Sequence, residues 1–271
     1  MTILLTGATG LVGSRLLPRL LAAGHQCRVL VRGGKAIPTG AEAVSGDLFD
    51  PASLASALEG VSAIIHLAAV FRTKDEALIW KSNRDGARNL IAAAETHAPQ
   101  ARFILASTSN VYGKDQARPG REDDAVDPPQ AYPASKVAAE RALSASQLNR
   151  TVLRFPFVYG DGDGHLAALP GHAASAGWHP AMRMSTIHHR DIATAMALAL
   201  EGRFDGRVIN IADDLPASML DLIALGGGDM GASAEPLTSP WALQVDTALA
   251  RSMGFQPTVR TVFHAAQEQI L

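Results

Sequence analysis

Thr2-Ile3-Leu4-Leu5-Thr6 runs straight into Gly7-Ala8-Thr9-Gly10-Leu11-Val12-Gly13. The first five residues form an apolar run of strand length. Beyond the glycines, Leu11, Val12, Leu16, Leu17, Leu20 and Leu21 recur at helical spacing. Strand, glycine turn and helix in immediate succession is the setting in which such glycines mark a nucleotide site. Gly7, Gly10 and Gly13 allow a tight turn, admit a pyrophosphate to the helix N-terminus and let helix and strand pack closely. The spacing is GxxGxxG rather than GxGxxG. Pro18 lies inside the expected helix and predicts a bend there, or a first turn displaced toward it.

Outward from this start, strand-like and helical runs alternate. Strands are expected at 2–6, 27–32, 42–45, 62–67, 101–107 and 151–155, and helices near 11–23, 51–59, 76–97 and 131–148. Alternation of this kind predicts an α/β fold, a Rossmann-type doubly wound parallel sheet with right-handed crossovers. Residues 114–131 are polar and proline-rich and read as a long loop. After 160 the pattern loosens. Asp161-Gly162-Asp163-Gly164 opens a Gly/His/Ala-rich stretch to about 185, and Gly226-Gly227-Gly228 marks another loop. Helices at 190–201 and 246–253 and a strand at 207–211 complete the reading. The expected division is a dinucleotide-binding core over 1–160, with returning elements near 186–211. Residues 161–271 would form mostly a small carboxyl-terminal substrate lobe interleaved with that core.

Chemistry is carried by Tyr132 and Lys136, one helical turn apart and so on one face if 131–148 is a helix. A free tyrosine titrates near ~10 and a lysine near ~10.4, so neither alone is a good acid or base at neutral pH. Beside Lys136 and a positive nicotinamide ring, Tyr132 is expected to ionise more easily. A nearby Ser or Thr hydroxyl can hold the substrate oxygen while hydride moves at the adjacent carbon. Ser107, Thr108 and Ser109 are the available hydroxyls, and sequence logic alone does not separate them.

Taken together, these segments resemble the extended short-chain dehydrogenase/reductase family, in its epimerase/dehydratase branch. The resemblance runs nearly the whole chain. It includes positions 6–13, Gly46-Asp47-Leu48, His66-Leu67-Ala68-Ala69, Ser107 through Gly113, Tyr132 to Lys136, Leu153-Arg154 through Val158-Tyr159-Gly160, and His188 through Asp191. It implies Thr108, Tyr132 and Lys136 as the catalytic set, Thr108 being three residues before Val111. It further implies cofactor contacts at Gly7, Thr9, Gly10, Leu11, Val12 and Gly13. Asp47 and Leu48 would flank the adenine, Ala68 and Ala69 the ribose, and Leu67, Phe155 and Val158, with Tyr132 and Lys136, complete the set. Asn83 resembles the family's Asn near the active site, with a helix-stabilising or water-ordering role and cofactor contact as the alternatives.

The second strand ends Val29-Leu30-Val31-Arg32, followed by Gly33-Gly34-Lys35. A carboxylate here usually grips the ribose hydroxyls of a cofactor lacking the 2′-phosphate. This chain offers Arg32 and Lys35 instead, so NADP(H) is the preferred cofactor, with NAD(H) possible. Arg32 as a solvated strand-end charge is the plain alternative.

For the substrate, Phe157 stands where nucleotide-sugar members carry an Asn, and Met184 occupies the basic position before His188, with Arg183 one residue off. Ser109 and Asn110 replace the Asp-Glu pair of sugar dehydratases, which disfavours dehydration. Hydride transfer on a smaller carbonyl or secondary alcohol is expected, with UDP and dTDP sugars bound poorly. Arg183, Arg118 and Arg121 could rearrange around a phosphate. The alternatives are a nucleotide-sugar epimerase and a non-catalytic dinucleotide-sensing protein. Arg72 and Lys74, after the fourth strand, border the cleft and could attract an acidic substrate or simply face solvent. Phe71, Phe155, Phe157 and Trp178 line an apolar pocket or fill core.

The chain has 271 residues, long enough for one large core or a core with a small lobe. Its 24 basic and 26 acidic residues leave no electrostatic footprint for nucleic acid or an anionic membrane. Cys27 is the only cysteine, which rules out an internal disulfide and a multi-cysteine metal site; it reads as a buried, inert thiol. His188 and His189, adjacent on an expected strand, would point to opposite faces, so no metal site is expected. No apolar run reaches membrane-spanning length and the chain opens in its first strand, so a cytoplasmic location is expected. The expected partners are a small-molecule substrate and a second copy of the chain, docked through the 76–97 and 131–148 helices.

Overall fold

Seven parallel strands form one sheet: β1 (Thr2–Thr6), β2 (Gln26–Val31), β3 (Glu42–Ser45), β4 (Ala63–His66), β5 (Arg102–Thr108), β6 (Asn149–Phe155) and β7 (Val208–Asn210). This is a computed structural model, which describes residues 1–33, 37 and 39–271; Lys35 lies outside the described residues. Across the sheet the order is 3-2-1-4-5-6-7, every neighbouring pair parallel. The direction of winding reverses between β1 and β4, and a doubly wound sheet opens its ligand crevice at that point, outside the carboxyl ends of the strands. Leu5 pairs with Val29 on one side and Ile65 on the other, so β1 is central. Ala63-Ile64-Ile65-His66 is buried throughout, as befits a strand covered on both faces.

Two layers cover the sheet. On one face, α1 (Gly13–Ala22) buries Leu16, Leu17 and Leu20 against Ile3, Leu5 and Val29, beside Ile192, Met196 and Leu200 of the later helix His189–Leu200. On the other, α2 (Gly86–His97) and α3 (Ala131–Ala145) bury Leu90, Ile91, Ala94, Ala139 and Leu143 against Leu4, Ile64 and Phe103. A fully buried leucine contributes roughly 2 kcal/mol by leaving water, so these stripes hold the layers on the sheet. Helix α1 continues through Pro18 to Ala22. Cys27 packs in the first of these cores.

The expected helix over 76–97 carries an unforeseen feature. Glu76–Trp80 is α-helical, Lys81–Asp85 is a π-helical turn, and α2 follows at Gly86. The expected 51–59 helix is likewise a 3-10 turn over Pro51–Leu54 followed by one α-turn to Leu58. After 156 a third apolar cluster gathers Leu166, Leu169, Met219, Leu222, Val262 and Ala265. It is built by the short helices Leu169–Ala176, Met219–Leu225 and Val262–Gln267, none of them expected from sequence. Two small ladders join it: Phe157–Tyr159 pairs with Thr186–His188, and Arg183–Met184 with Ala217–Ser218. His188 ends its strand and His189 begins a helix, so the two are not strand neighbours as expected. Among the described residues no helix is long and apolar enough to cross a membrane.

Candidate active site

A cleft of about 250 Å³ lies over the carboxyl ends of β1, β2 and β4. Its floor is the glycine turn, with Gly7, Thr9 and Gly10 exposed to it. Gly7 has φ +75°, and a Cβ there would stand 2.6 Å from the Ala68 amide nitrogen. At Gly13 a Cβ would overlap the Gly7 carbonyl oxygen and stand 2.7 Å from the Ala8 Cα. These two positions accept no side chain: one lets the turn pass β4 closely, the other lets α1 start against the turn. The first helical turn has no side-chain cap, so its amides are available to an anionic group. A dinucleotide pyrophosphate fits this cradle.

The rest of the cleft is formed by Arg32 at the end of β2, Asp47 and Leu48 after β3, and Leu67, Ala68 and Ala69 after β4. Leu11, Val12, Gly13, Phe155 and Val158 are not among its lining residues, and Phe155 is 6% exposed within the main core. Thr6, Ala8, Leu30, Val31, Gly46, Phe49, Val70 and Ser82 also line it and were missed from sequence. Adjacency to Arg32, Asp47 and Ala69 was the available signal for most of them, while Ser82 needed knowledge of the π-turn. Arg32 is exposed and also borders an adjoining hollow of about 240 Å³. Asp47 and Asp50 border that same hollow, so the charge facing a 2′-phosphate is mixed.

Beyond the cleft stand the expected catalytic residues. Thr108 is the last residue of β5, and its Oγ1 accepts the Asn110 amide hydrogen at 3.2 Å, opening a 3-10 turn. Tyr132 sits in the first turn of α3 and Lys136 one turn on. Burial pushes the Tyr132 phenol up to about 12, opposed by the neighbouring Thr108 side chain. The expected easier ionisation was for Tyr132 beside Lys136 and a nicotinamide ring; within the protein alone burial is the larger cause, and it raises the phenol. Lys136 is 2% exposed, and burial pushes its ammonium down to about 8, opposed by the Glu140 carboxylate. His66, at the end of β4, shares a hydrogen bond of 2.7 Å with Thr6 Oγ1 and is held neutral, its pKa pushed down to about 3 by burial and then by the Lys136 charge.

The π-turn explains Asn83. Its Nδ2 donates to the Val70 carbonyl at 2.9 Å and to Ser135 Oγ at 3.1 Å, while its Oδ1 accepts from the Val70 amide at 2.7 Å. Ser135 Oγ in turn donates to the Tyr132 carbonyl at 2.7 Å. The buried Asn83 amide thus clamps the loop after β4 to the turn that carries Tyr132.

A second brace was missed from sequence. Arg154 on β6 makes paired hydrogen bonds to Glu140 on α3, at 3.2 and 2.6 Å, with both side chains buried. Ser107 Oγ donates to the same carboxylate. Arg154 also donates to Tyr112 Oη at 2.9 Å, and that hydroxyl donates to Asn210 Oδ1 at 2.7 Å. The available signal was a charged residue inside the apolar run Val152-Leu153-Arg154-Phe155, with Glu140 one turn past Lys136. Removing one partner would leave a buried charge unpaired, at a cost of roughly 3–5 kcal/mol.

On the far side, the Phe157 ring stacks on His165 with centroids 4.8 Å apart, and Phe71 lies 5.5 Å from the Tyr132 ring. Trp178 packs against the third core. Arg118 pairs with Asp124 at 2.7 Å and Arg121 with Asp246 at 2.9 Å. Arg183 is exposed and reaches the Pro216 carbonyl, and Met184 is buried.

Residues 3–212 match the model of the NAD dependent epimerase/dehydratase family. A ceramide reductase of Caulobacter vibrioides is 32% identical over 200 residues, 71% of this chain and 58% of that protein. The chain therefore spans little more than half the length of that relative. A 3-diazoavenalumate denitrifying reductase of a Streptomyces species is 30% identical over 266 residues, covering 90% of this chain and 86% of that one. Among solved structures, MoeE5 in complex with UDP-glucose and NAD superposes with a TM-score of 0.80 at 25% identity, over 99% of this chain and 96% of the other. The chain is an enzyme of the NAD dependent epimerase/dehydratase family.

Proposed function

We propose that this enzyme transfers a hydride between a nicotinamide cofactor and a carbonyl or secondary alcohol compound, with Tyr132 as the proton donor and acceptor. The observation that carries the reading is the placement of Tyr132 and Lys136 one turn apart in α3, with Thr108 at the carboxyl end of β5 and its side chain lowering the Tyr132 phenol. The dinucleotide, when bound, supplies the hydride or takes it. In reduction, Tyr132 gives its proton to the substrate oxygen as the carbon accepts the hydride; oxidation runs in reverse. A phenol held near 12 is fully protonated at neutral pH, which suits it to the donor role. The Lys136 charge, one turn away, stabilises the phenolate left behind. Thr108 holds the substrate oxygen beside Tyr132.

Gly7, Thr9, Gly10 and the first turn of α1 would hold the pyrophosphate, with Leu67, Ala68 and Ala69 beside the ribose. The phosphorylated cofactor is preferred through Arg32, working against Asp47 and Asp50. A small substrate is supported by Phe157 lying on His165 and by Arg118 and Arg121 being paired to carboxylates. A diphosphate needs several free donors to offset its desolvation. The likeness to MoeE5 favours a second reading, nucleotide-sugar epimerisation. One experiment separates them: NADPH or NADH with a panel of aldehydes and ketones, alongside NMR of UDP and dTDP sugars held with the protein. Net cofactor oxidation by a carbonyl supports the proposal. Interconversion of sugars without net oxidation promotes the epimerase.

A further inference from the structure

Two residues past the cleft-lining Val70, the backbone of Arg72 adopts φ +61°. A side chain in the left-handed region is disfavoured, and such strain in a loop beside a catalytic residue is a sign of a held position. The neighbour Phe71 is 42% exposed with its ring on Tyr132, and the Arg72 guanidinium carbon lies 4.9 Å from the Phe71 ring centroid. Arg72 Nη2 contacts His165 Nε2. That histidine shares a 2.7 Å hydrogen bond between Nδ1 and the Val158 carbonyl, which can only accept. His165 is therefore the Nδ1–H tautomer, burial lowers its pKa, and its Nε2 lone pair faces the Arg72 guanidinium. A neutral acceptor orients the guanidinium without cancelling its charge. The Asp163 carboxylate contributes a field at Arg72, but its oxygens are committed to His189 Nε2 at 2.9 Å and the His165 amide at 2.8 Å. Among the described residues no carboxylate lies within ion-pair distance of Arg72.

We infer that Arg72 anchors a carboxylate on the substrate, between the apolar rings of Phe71 and Phe157, so that the enzyme acts on small carbonyl or hydroxy acids. This rests on the hydride-transfer reading above. One planar guanidinium matches a single carboxylate and is too little for a diphosphate. The test uses benzoate, benzamide and phenyl phosphate, titrated by ligand-observed NMR into protein loaded with NADPH and, in parallel, NADH. Benzoate should bind the wild type about tenfold more tightly than neutral benzamide, the effect of one charge-assisted hydrogen-bonded pair. Arg72→Met should abolish that preference while leaving cofactor affinity and melting temperature unchanged. Equal binding of benzoate and benzamide to the wild type overturns the inference without reference to any variant. So does a preference that survives Arg72→Met, or no benzoate binding at millimolar concentration. Tighter binding of phenyl phosphate than benzoate also overturns it, in favour of a phosphoryl group. None of these outcomes depends on turnover, so they separate from failure of the hydride-transfer reading; absence of cofactor binding would sink both.

Discussion

The proposed preference for NADP(H) rests on Arg32. It lies exposed at the end of β2, where it borders both the main cleft and the hollow beside it. Arg32→Asp replaces attraction for a 2′-phosphate with repulsion and adds a third carboxylate beside Asp47 and Asp50. The ratio of dissociation constants, NADPH over NADH, should rise by about tenfold or more; an unchanged ratio would show that Arg32 does not touch the phosphate. At this scale the glycines were the most legible feature, because a missing Cβ has one geometric meaning where two backbones touch. At Tyr132 the lysine one turn on shows in sequence, whereas the burial that raises the phenol does not.

Between residues and the whole molecule, the π-turn over Lys81–Asp85 shows what periodicity cannot reveal. A single extra residue per turn leaves the apolar pattern of 76–97 intact, yet it aims Asn83 at Val70 and Ser135. The connection after β7 holds another hidden group. Asp213 is 5% exposed and burial pushes its carboxyl up to about 8, opposed by the Thr186 hydroxyl and the Leu215 amide, with fields from Asp214 and Arg251. A raised carboxyl keeps its proton in the fold where the unfolded chain has lost it. Its stabilising effect is present below about pH 4 and is lost as pH rises through about 8. Urea unfolding across pH 5 to 8 should show wild type losing stability relative to Asp213→Asn, with a slope of up to about 1.4 kcal/mol per pH unit. Parallel stability curves for the two proteins would refute a buried protonated Asp213.

For the molecule as a whole, the parallel, doubly wound sheet followed from the alternation of short apolar runs with longer amphipathic ones, while the strand order came from the structure. Beyond residue 160 the same logic found the helix His189–Leu200, the strand Val208–Asn210 and the helix Ala248–Ser252 but missed the rest, because strands of two or three residues and one- or two-turn helices carry too few positions for a period to show. Their cohesion comes from a shared apolar cluster and from contacts distant in sequence, such as the Asp161 carboxylate on Arg19 of α1 at 2.7 Å. The sheet and its two layers thus bring together a glycine cradle, an Asn83 clamp, an Arg154–Glu140 brace and the Tyr132 helix. The central claim, that this assembly moves a proton through Tyr132 as hydride is transferred, is tested most directly by Tyr132→Phe. The measurement is the single-turnover rate of NAD(P)H oxidation with the best carbonyl compound, together with the cofactor dissociation constant of the same variant. The account predicts cofactor affinity within about twofold of wild type and a rate lower by about two to four orders of magnitude. A near-full rate in Tyr132→Phe, with cofactor bound, would contradict it.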